Sequence, residues 1–412
     1  MIRQPITAFL RLIRATFISV ALSSFTLCAH AQNEADFQRW LGEFKQRALS
    51  HGISQATLDR AFANITLNQR VLELDRRQPE FTRTFWQYFD MTVTPWRIEK
   101  GLELYEQHRT LLDQVTKQYG VPGRFLIAFW GMETNYGGYT GNIPIIESLA
   151  TLAFDPRRSE FFTTQLLYAL RILDEQHISL EQMKGSWAGA MGQTQFMPSN
   201  YAHYTIDGDN NGKKDMWNSL ADVFHSSGNF LNQLGWKREE NWGREVVLPK
   251  QFDYALADGR TLRPLKEWHQ MGILLADGRE IPEIEMQAAL LMPSDYRGPV
   301  FLVYHNFFVI KRWNNSNNYA LAVGHLADRL IGRAPLEAKR PADDAALSKK
   351  DISEMQERLN LLGYNAGGVD GVAGGRTRDA LRRFQSAQGL PADGFPSAQM
   401  LNLLRQQLAE RL

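Results

Sequence analysis

The spacing of apolar residues changes along this 412-residue chain, and that change limits the folds open to it. Near the start of the region Asp36 to about Gln118, Phe37, Trp40, Leu41 and Phe44 recur at three and four residues, the repeat of a helix that buries one face. Ser54 ahead of Leu58, Ala61 and Phe62 reads as a capped amphipathic helix. Leu102, Tyr105, Leu111, Leu112, Val115 and Tyr119 continue the style, and from Gly120 to about Leu234 further helices alternate with glycine-rich turns. Between Arg244 and Val309 the texture shifts. Asp258-Gly259 and Asp277-Gly278 are turn signals, and Pro299 to Ile310 is rich in β-branched and aromatic residues, which predicts a small β-rich insertion. Ala320 to Leu330 is helical again, so the fold class is mainly α with a small β insertion.

Arg333 to Lys349 holds Ala, Pro and charge with no apolar period, and reads as a linker. Ile352 to Leu408 follows with its own periodic segments: Met355, Leu359 and Leu362; Ala380, Leu381 and Phe384; Met400, Leu401 and Leu404. Three short helices around a small core are the simplest account. The expected domains are therefore 32–333, a linker over 334–349, and 350–412.

Residues 1–31 read as an address. Arg3, Arg11 and Arg14 precede an uncharged apolar run from Ala15 to Leu27, and Ala29-His30-Ala31 supplies the small residues of a cleavage site. The run is shorter than the roughly 20 residues a membrane span needs, so a cleaved signal peptide is expected rather than a permanent anchor. Cys28 raises a lipoprotein reading, but Leu27 before it and Phe25 three before it fit that poorly. Cleavage after Ala31 removes the chain's one cysteine, which suits an oxidising compartment, and takes the net charge from +1 to −2. So balanced a chain argues against a nucleic-acid binder. Hydrophobic residues at 44% and charged residues at 22% exclude a disordered chain, a collagen and a polytopic membrane protein.

Glu133 is the only charged side chain between Phe125 and Gly138. On a helix ended by Gly137-Gly138, its neighbours three and four residues back are Trp130 and Phe129. Apolar walls strip hydration from a carboxylate and favour its neutral form, which a general acid needs to protonate a glycosidic oxygen. The bland alternative is a glutamate on a solvated helix face. A second cluster, Lys184 to Tyr201, alternates small residues with Gln193, Gln195, Ser186, Trp187 and Phe196. Such a segment lets backbone approach a ligand and offers uncharged hydrogen-bonding groups. Tight helix packing would explain its small residues but not the two glutamines.

A third segment, Asp207 to Asp215, has oxygen ligands at positions one, three, five and nine through Asp207, Asp209, Asn211 and Asp215, with Gly212 at the sharp sixth position. This is the spacing of an EF-hand calcium loop, although Asn218 stands where a bidentate Glu is expected. A turn without an ion is the alternative.

Met132-Glu133-Thr134-Asn135-Tyr136-Gly137, then Lys184 through Ser199, then Arg312-Trp313-Asn314-Asn315-Ser316-Asn317-Asn318-Tyr319-Ala320 resemble, in order, the B-type lytic murein transglycosylases. Ala150 to Asp155 and Arg157-Arg158 fit as well, so the likeness covers about Asp36 to Arg333. It implies a lysozyme-like helical catalytic domain and cleavage of the N-acetylmuramic acid-β-1,4-N-acetylglucosamine bond, leaving 1,6-anhydromuramyl ends. Glu133 matches the single acid/base. Ser186, Gln195, Phe196, Trp313, Asn314 and Tyr319 match positions lining the sugar groove. The family often carries Tyr at the position of Trp313 and near Phe230, so here an aromatic ring is kept and a hydroxyl lost. The resemblance also suggests Asp222 as the missing metal carboxylate, with Lys213 giving only its carbonyl. Any Ca2+ would be structural, with no cofactor in the chemistry.

Gln356, Leu362-Gly363-Tyr364, Asp370-Gly371, Thr377, Phe384-Gln385 and Asp393-Gly394 resemble the small three-helix peptidoglycan-binding domain of wall enzymes. With eight basic and seven acidic residues between Lys350 and Leu412, bulk charge is not its binding force. Such a tail raises the local concentration of a catalytic domain at its polymer. The expected partners are peptidoglycan glycan strands and peptide stems, with the cell-wall synthesis machinery a further candidate, and the location implied is the periplasm. A hydrolytic muramidase using water and a non-catalytic wall-binding scaffold are the alternatives.

Overall fold

The computed structural model describes residues 33–76 and 83–410, so the expected signal peptide, with Cys28, lies outside the described residues. The chain divides into two compact units. The first comprises the described parts of Met1–Arg77, Thr140–Tyr204 and Asn210–Ser219. The second comprises those of Gln78–Tyr139, Thr205–Asp209 and Leu220–Leu412.

In the first unit, the helix 33–50 buries Phe37, Leu41, Phe44 and Ala48, one face at the spacing the sequence predicts. Phe37 meets Phe154 edge-on at 5.5 Å. Ser54 caps the helix Gln55–Ala61 by accepting from the Thr57 amide at 3.2 Å. Thr57 donates its hydroxyl to Asp174, at the end of the long helix Ser159–Asp174, at 2.6 Å. The Ser54 and Thr57 hydroxyls hold that carboxyl below its usual range. The helix Ile145–Phe154 is buried along most of its length against Ser159–Asp174. A two-residue antiparallel ladder, Ile143–Pro144 with Lys184–Gly185, ties its start to the glycine-rich segment.

In the second unit, the helix Gly123–Thr134 is the hub. Phe125 to Phe129 are all fully buried, as expected of a helix apolar on every side. Pro95–Gln107, Arg109–Tyr119, Leu220–Gln233 and Asn317–Arg329 pack around it. The β-rich insertion is a five-stranded antiparallel sheet in the order Arg263–Pro264, Gln287–Leu291, Val300–Val303, Gly243–Val247, Leu274–Leu275. Leu290 and Arg244 both register against Leu302 on the central strand. Trp268, Leu265 and Ile273 fill the core beneath. One expectation needs correction: β texture was expected as far as Ile310, but strand ends at Val303 and His305–Trp313 is a helix. Phe307 and Ile310, three apart, are both buried, so helical burial period overrides β-branched composition.

The three C-terminal helices are Lys349–Leu361, Gly375–Ala387 and Ala398–Ala409 around Met355, Leu359, Leu381, Phe384 and Leu404. Buried glutamines pin both Asp-Gly turns. Gln356 accepts from the amides of Asp370 and Gly371 at 3.1 and 2.9 Å, and Gln385 accepts from that of Gly394 at 2.7 Å. The connecting segment is irregular but tethered. Asp344 accepts from the Thr84 hydroxyl at 2.8 Å, and Glu245 accepts from the amides of Glu337 and Ala338 at 2.9 and 3.0 Å. Among the described residues no helix is long and apolar enough to cross a membrane.

Candidate active site

Glu133 lies in the last turn of Gly123–Thr134. The sequence placed the stop at Gly137-Gly138, but the chain leaves the helix two residues earlier. Asn135 and Tyr136 both adopt left-handed backbone, φ 51° and 61°. Non-glycine residues there cost of order 1–3 kcal/mol each and need support. Arg97 supplies it from the neighbouring helix. Its guanidinium donates to the Asn135 side chain, and its carbonyl accepts the Tyr136 hydroxyl at 2.5 Å. The Tyr136 ring lies over Gly131, where a Cβ would meet it at 2.6 Å. Removing that space would push the ring away and release the turn behind Glu133.

The Tyr319 hydroxyl donates to Glu133 Oε1 at 2.5 Å. Tyr319 begins the helix Asn317–Arg329, whose start is capped by Ser316 accepting the Tyr319 amide at 3.3 Å. Burial, and then the nearby Glu133 charge, lift the Tyr319 phenol well above its usual range, so it stays a proton donor. One turn back from Glu133, Phe129 stacks on Trp313 with centroids 4.3 Å apart and planes 29° apart. Phe230 sits 5.1 Å from the same Trp313 ring. The structure thus brings the predicted residue Tyr319 onto the Glu133 carboxyl and gathers two more, Trp313 and Phe230, in the aromatic cluster one turn back. Asn314 caps the end of His305–Trp313 and is exposed. Sequence reasoning missed Arg97 and Tyr88, the latter close enough to influence both Tyr319 and Arg97. The capping box of Thr84 and Gln87 that starts the Tyr88 helix was the available signal, but it marks a helix and not a site.

Ser186, Gln195 and Phe196 belong to the other unit, in a loop folded on itself. Ser186 Oγ accepts from the Ala190 amide at 3.0 Å, while Met191 and Phe196 exchange backbone bonds at 2.8 and 2.9 Å. Gln195 takes left-handed backbone, φ 52°, and its amide donates to the carbonyls of Thr140 and Gly192, both at 3.0 Å. This glutamine therefore braces the loop. Phe196 is 1% exposed, so its ring supports from behind. The fallback carboxylates are engaged elsewhere: Glu147 accepts from Asn68 at 2.5 Å, and Asp155 pairs with Arg157 at 3.4 Å.

In the predicted metal loop, carboxylate oxygens of Asp207, Asp209 and Asp222 lie within 4.8 Å of one another. Asp222 is fully buried near the start of Leu220–Gln233 and accepts from the Gly208 amide at 2.7 Å. Three converging carboxylates, one without water access, fit a hard divalent cation. Asn211 accepts from the Lys213 amide at 2.9 Å. Asp215 accepts from the amides of Trp217 and Asn218 and from the Asn218 side chain, each at 2.9 Å. Asn218, at the twelfth loop position, thus serves as a brace for Asp215.

The family model described as a transglycosylase SLT domain matches residues 36–328, and that of a putative peptidoglycan binding domain matches residues 348–404. The chain is 32% identical over 241 residues to the membrane-bound lytic murein transglycosylase B of Escherichia coli, covering 57% of this chain and 64% of that relative. It therefore spans somewhat less than two thirds of that protein's length. Among solved structures it resembles SltB3 of Pseudomonas aeruginosa in complex with NAG-anhNAM-pentapeptide, with 44% identity, a TM-score of 0.87, and coverage of 90% of this chain and 99% of that one. The Escherichia coli lytic transglycosylase Slt35 in complex with calcium matches at 27% identity and a TM-score of 0.62, covering 73% and 93%.

Proposed function

Since the chain belongs to the SLT-domain transglycosylase family and ends in a peptidoglycan-binding domain, we propose that it is a peptidoglycan lytic transglycosylase. Its reaction breaks the β-1,4 bond from N-acetylmuramic acid to N-acetylglucosamine and leaves a 1,6-anhydromuramyl end. Glu133 gives its proton to the leaving oxygen as the C1–O bond breaks. The muramyl C6 oxygen then bonds to C1, and its proton passes to the Glu133 carboxylate. Because the nucleophile belongs to the same sugar, no water has to be recruited and one carboxyl suffices. The observation that carries this reading is the 2.5 Å hydrogen bond from Tyr319 to Glu133 beside the Phe129–Trp313 stack. It fixes one carboxyl in an aromatic box, while Glu147 and Asp155 are bound to other partners.

A structural calcium ion at Asp207, Asp209 and Asp222 accompanies the reading, supported by the converging carboxylates and by the calcium complex of Slt35. Asn314 and the wall module would hold the glycan, and the signal-like start of the chain supports export to the periplasm. The test is Glu133→Gln assayed on purified sacculi. Release of soluble fragments should cease while the protein still sediments with the wall. Fragment release at the parent rate would refute the reading.

A further inference from the structure

A cavity of about 530 Å3 lies where the wall module, the β insertion and the segment preceding Tyr319 meet. Six cationic side chains line it: Arg83, Arg260, Lys311, Lys349, Arg378 and Arg382. The one acid among the described lining residues, Asp258, already accepts from the backbone amides of Arg260 and Thr261 at 2.7 and 2.8 Å. Asp379 is shared between Arg260 at 3.2 Å and Arg382 at 2.9 Å, so positive charge remains in excess. The Arg382 Nε is buried without a hydrogen-bond partner among the described residues. Burial pushes the Lys311 ammonium down, and burial with the neighbouring Arg382 does the same to Arg378.

A second arrangement points the same way. The helix Gly375–Ala387 starts at this cavity, and its Gly374 cap has no side chain to satisfy the first amides. Arg260 sits over that start, its Nη1 3.1 Å from where a Cβ on Gly375 would be. A guanidinium at the positive end of a helix is unfavourable unless an anion offsets it, and Asp379 on the same helix, shared between Arg260 and Arg382, offsets it only in part. The cavity also adjoins the candidate active site through one short segment. Lys311 precedes Trp313 by two residues, and the lining residues Asn317 and Asn318 run directly into Tyr319.

We propose that this cavity binds the free carboxylates of the acidic peptide carried by the muramyl sugar, while that sugar occupies the site at Glu133. The proposal rests on the function proposed above. It makes the enzyme a reader of peptide-bearing strands: guanidinium groups take the carboxylates in paired hydrogen bonds, and the open helix start takes a further oxygen. Other anions share this chemistry, but the wall peptide is covalently joined to the sugar whose bond is cut, which brings its acids to this segment.

The test measures binding of the full chain to N-acetylglucosaminyl-N-acetylmuramyl peptide, which contains no scissile bond, by titration calorimetry. Three ligands are compared: the free-acid peptide, its methyl ester, and the disaccharide without peptide. The ester should bind about tenfold more weakly than the acid, the scale of one lost charge-assisted pair. The double variant Arg260→Gln/Lys349→Gln should show the same loss for the acid and little difference between acid and ester. Equal binding of acid and ester by the unaltered chain would overturn the proposal without reference to any variant. Since the bare disaccharide reports on the sugar site alone, its failure to bind counts against the Glu133 reading, and an acid–ester difference seen without it still supports the cavity.

Discussion

The end of the Glu133 helix and the Asp207–Asp222 loop both place carboxylates against buried surroundings, yet they compensate them differently. At Glu133 the partner is a hydroxyl, donated by Tyr319 at 2.5 Å. A hydrogen bond of that kind steadies a carboxyl and still lets it gain or lose a proton. In the loop, three carboxylates converge within 4.8 Å, one of them fully buried. Such a cluster suits a bound divalent cation, the ion proposed for this loop. On the proposed function, the difference separates a group suited to proton transfer from a group suited to anchoring.

The sharpest break in this comparison is the exchange of each carboxylate for its amide. Glu133→Gln should lower turnover about 1,000-fold or more, within the range for loss of a general acid/base, and leave the melting temperature unchanged. Asp222→Asn should do the reverse. The parent chain should gain about 2.7 kcal/mol of stability when calcium is raised to a hundred times its dissociation constant, a gain that chelator removes. Asp222→Asn should lose most of that gain while retaining activity at low temperature, and a calcium-independent melting curve in the parent chain would show that the loop holds no ion.

Acid sharpens the comparison through the helix that carries Tyr319. His325 on that helix is buried beside Phe89, and burial lowers its pKa to about 4. Between pH 6.5 and about 4 the unfolded chain takes up this proton and the folded chain does not, so stability present above pH 6.5 is lost as pH falls through that window. The expected loss is ~3 kcal/mol, and urea unfolding of His325→Gln should lack it. The smallest effect is expected for Tyr319→Phe. Losing one hydrogen bond to a charged group costs ~2 kcal/mol, so turnover should fall about thirtyfold with the wall affinity unchanged.

Periodicity made the helices legible, and ordered motifs pointed to Glu133, Trp313, Tyr319 and the Asp207–Asp215 loop. What pairs them was not. Tyr319 and Glu133 lie 186 residues apart, and no local pattern encodes their contact. The stop at Asn135 was hidden because glycines two residues later are the better turn formers by propensity. It is set instead by Arg97 and by the space Gly131 leaves for Tyr136. Gln195 shows the opposite limit: its residue type announced hydrogen bonding, but only the fold shows that its amide holds its own loop. Counting charge by domain is blind to a cavity assembled from several segments: of its six cations only Arg378 and Arg382 lie between Lys350 and Leu412.

The central claim is that one carboxyl serves as acid and then base with the sugar's own hydroxyl as nucleophile. Mass spectrometry of the muropeptides released from sacculi in 18O-labelled water tests it most directly. The account predicts fragments one water lighter than reducing-end sugars and free of label. Heavier fragments carrying 18O at the muramyl C1 would contradict it and assign the chain to the hydrolases.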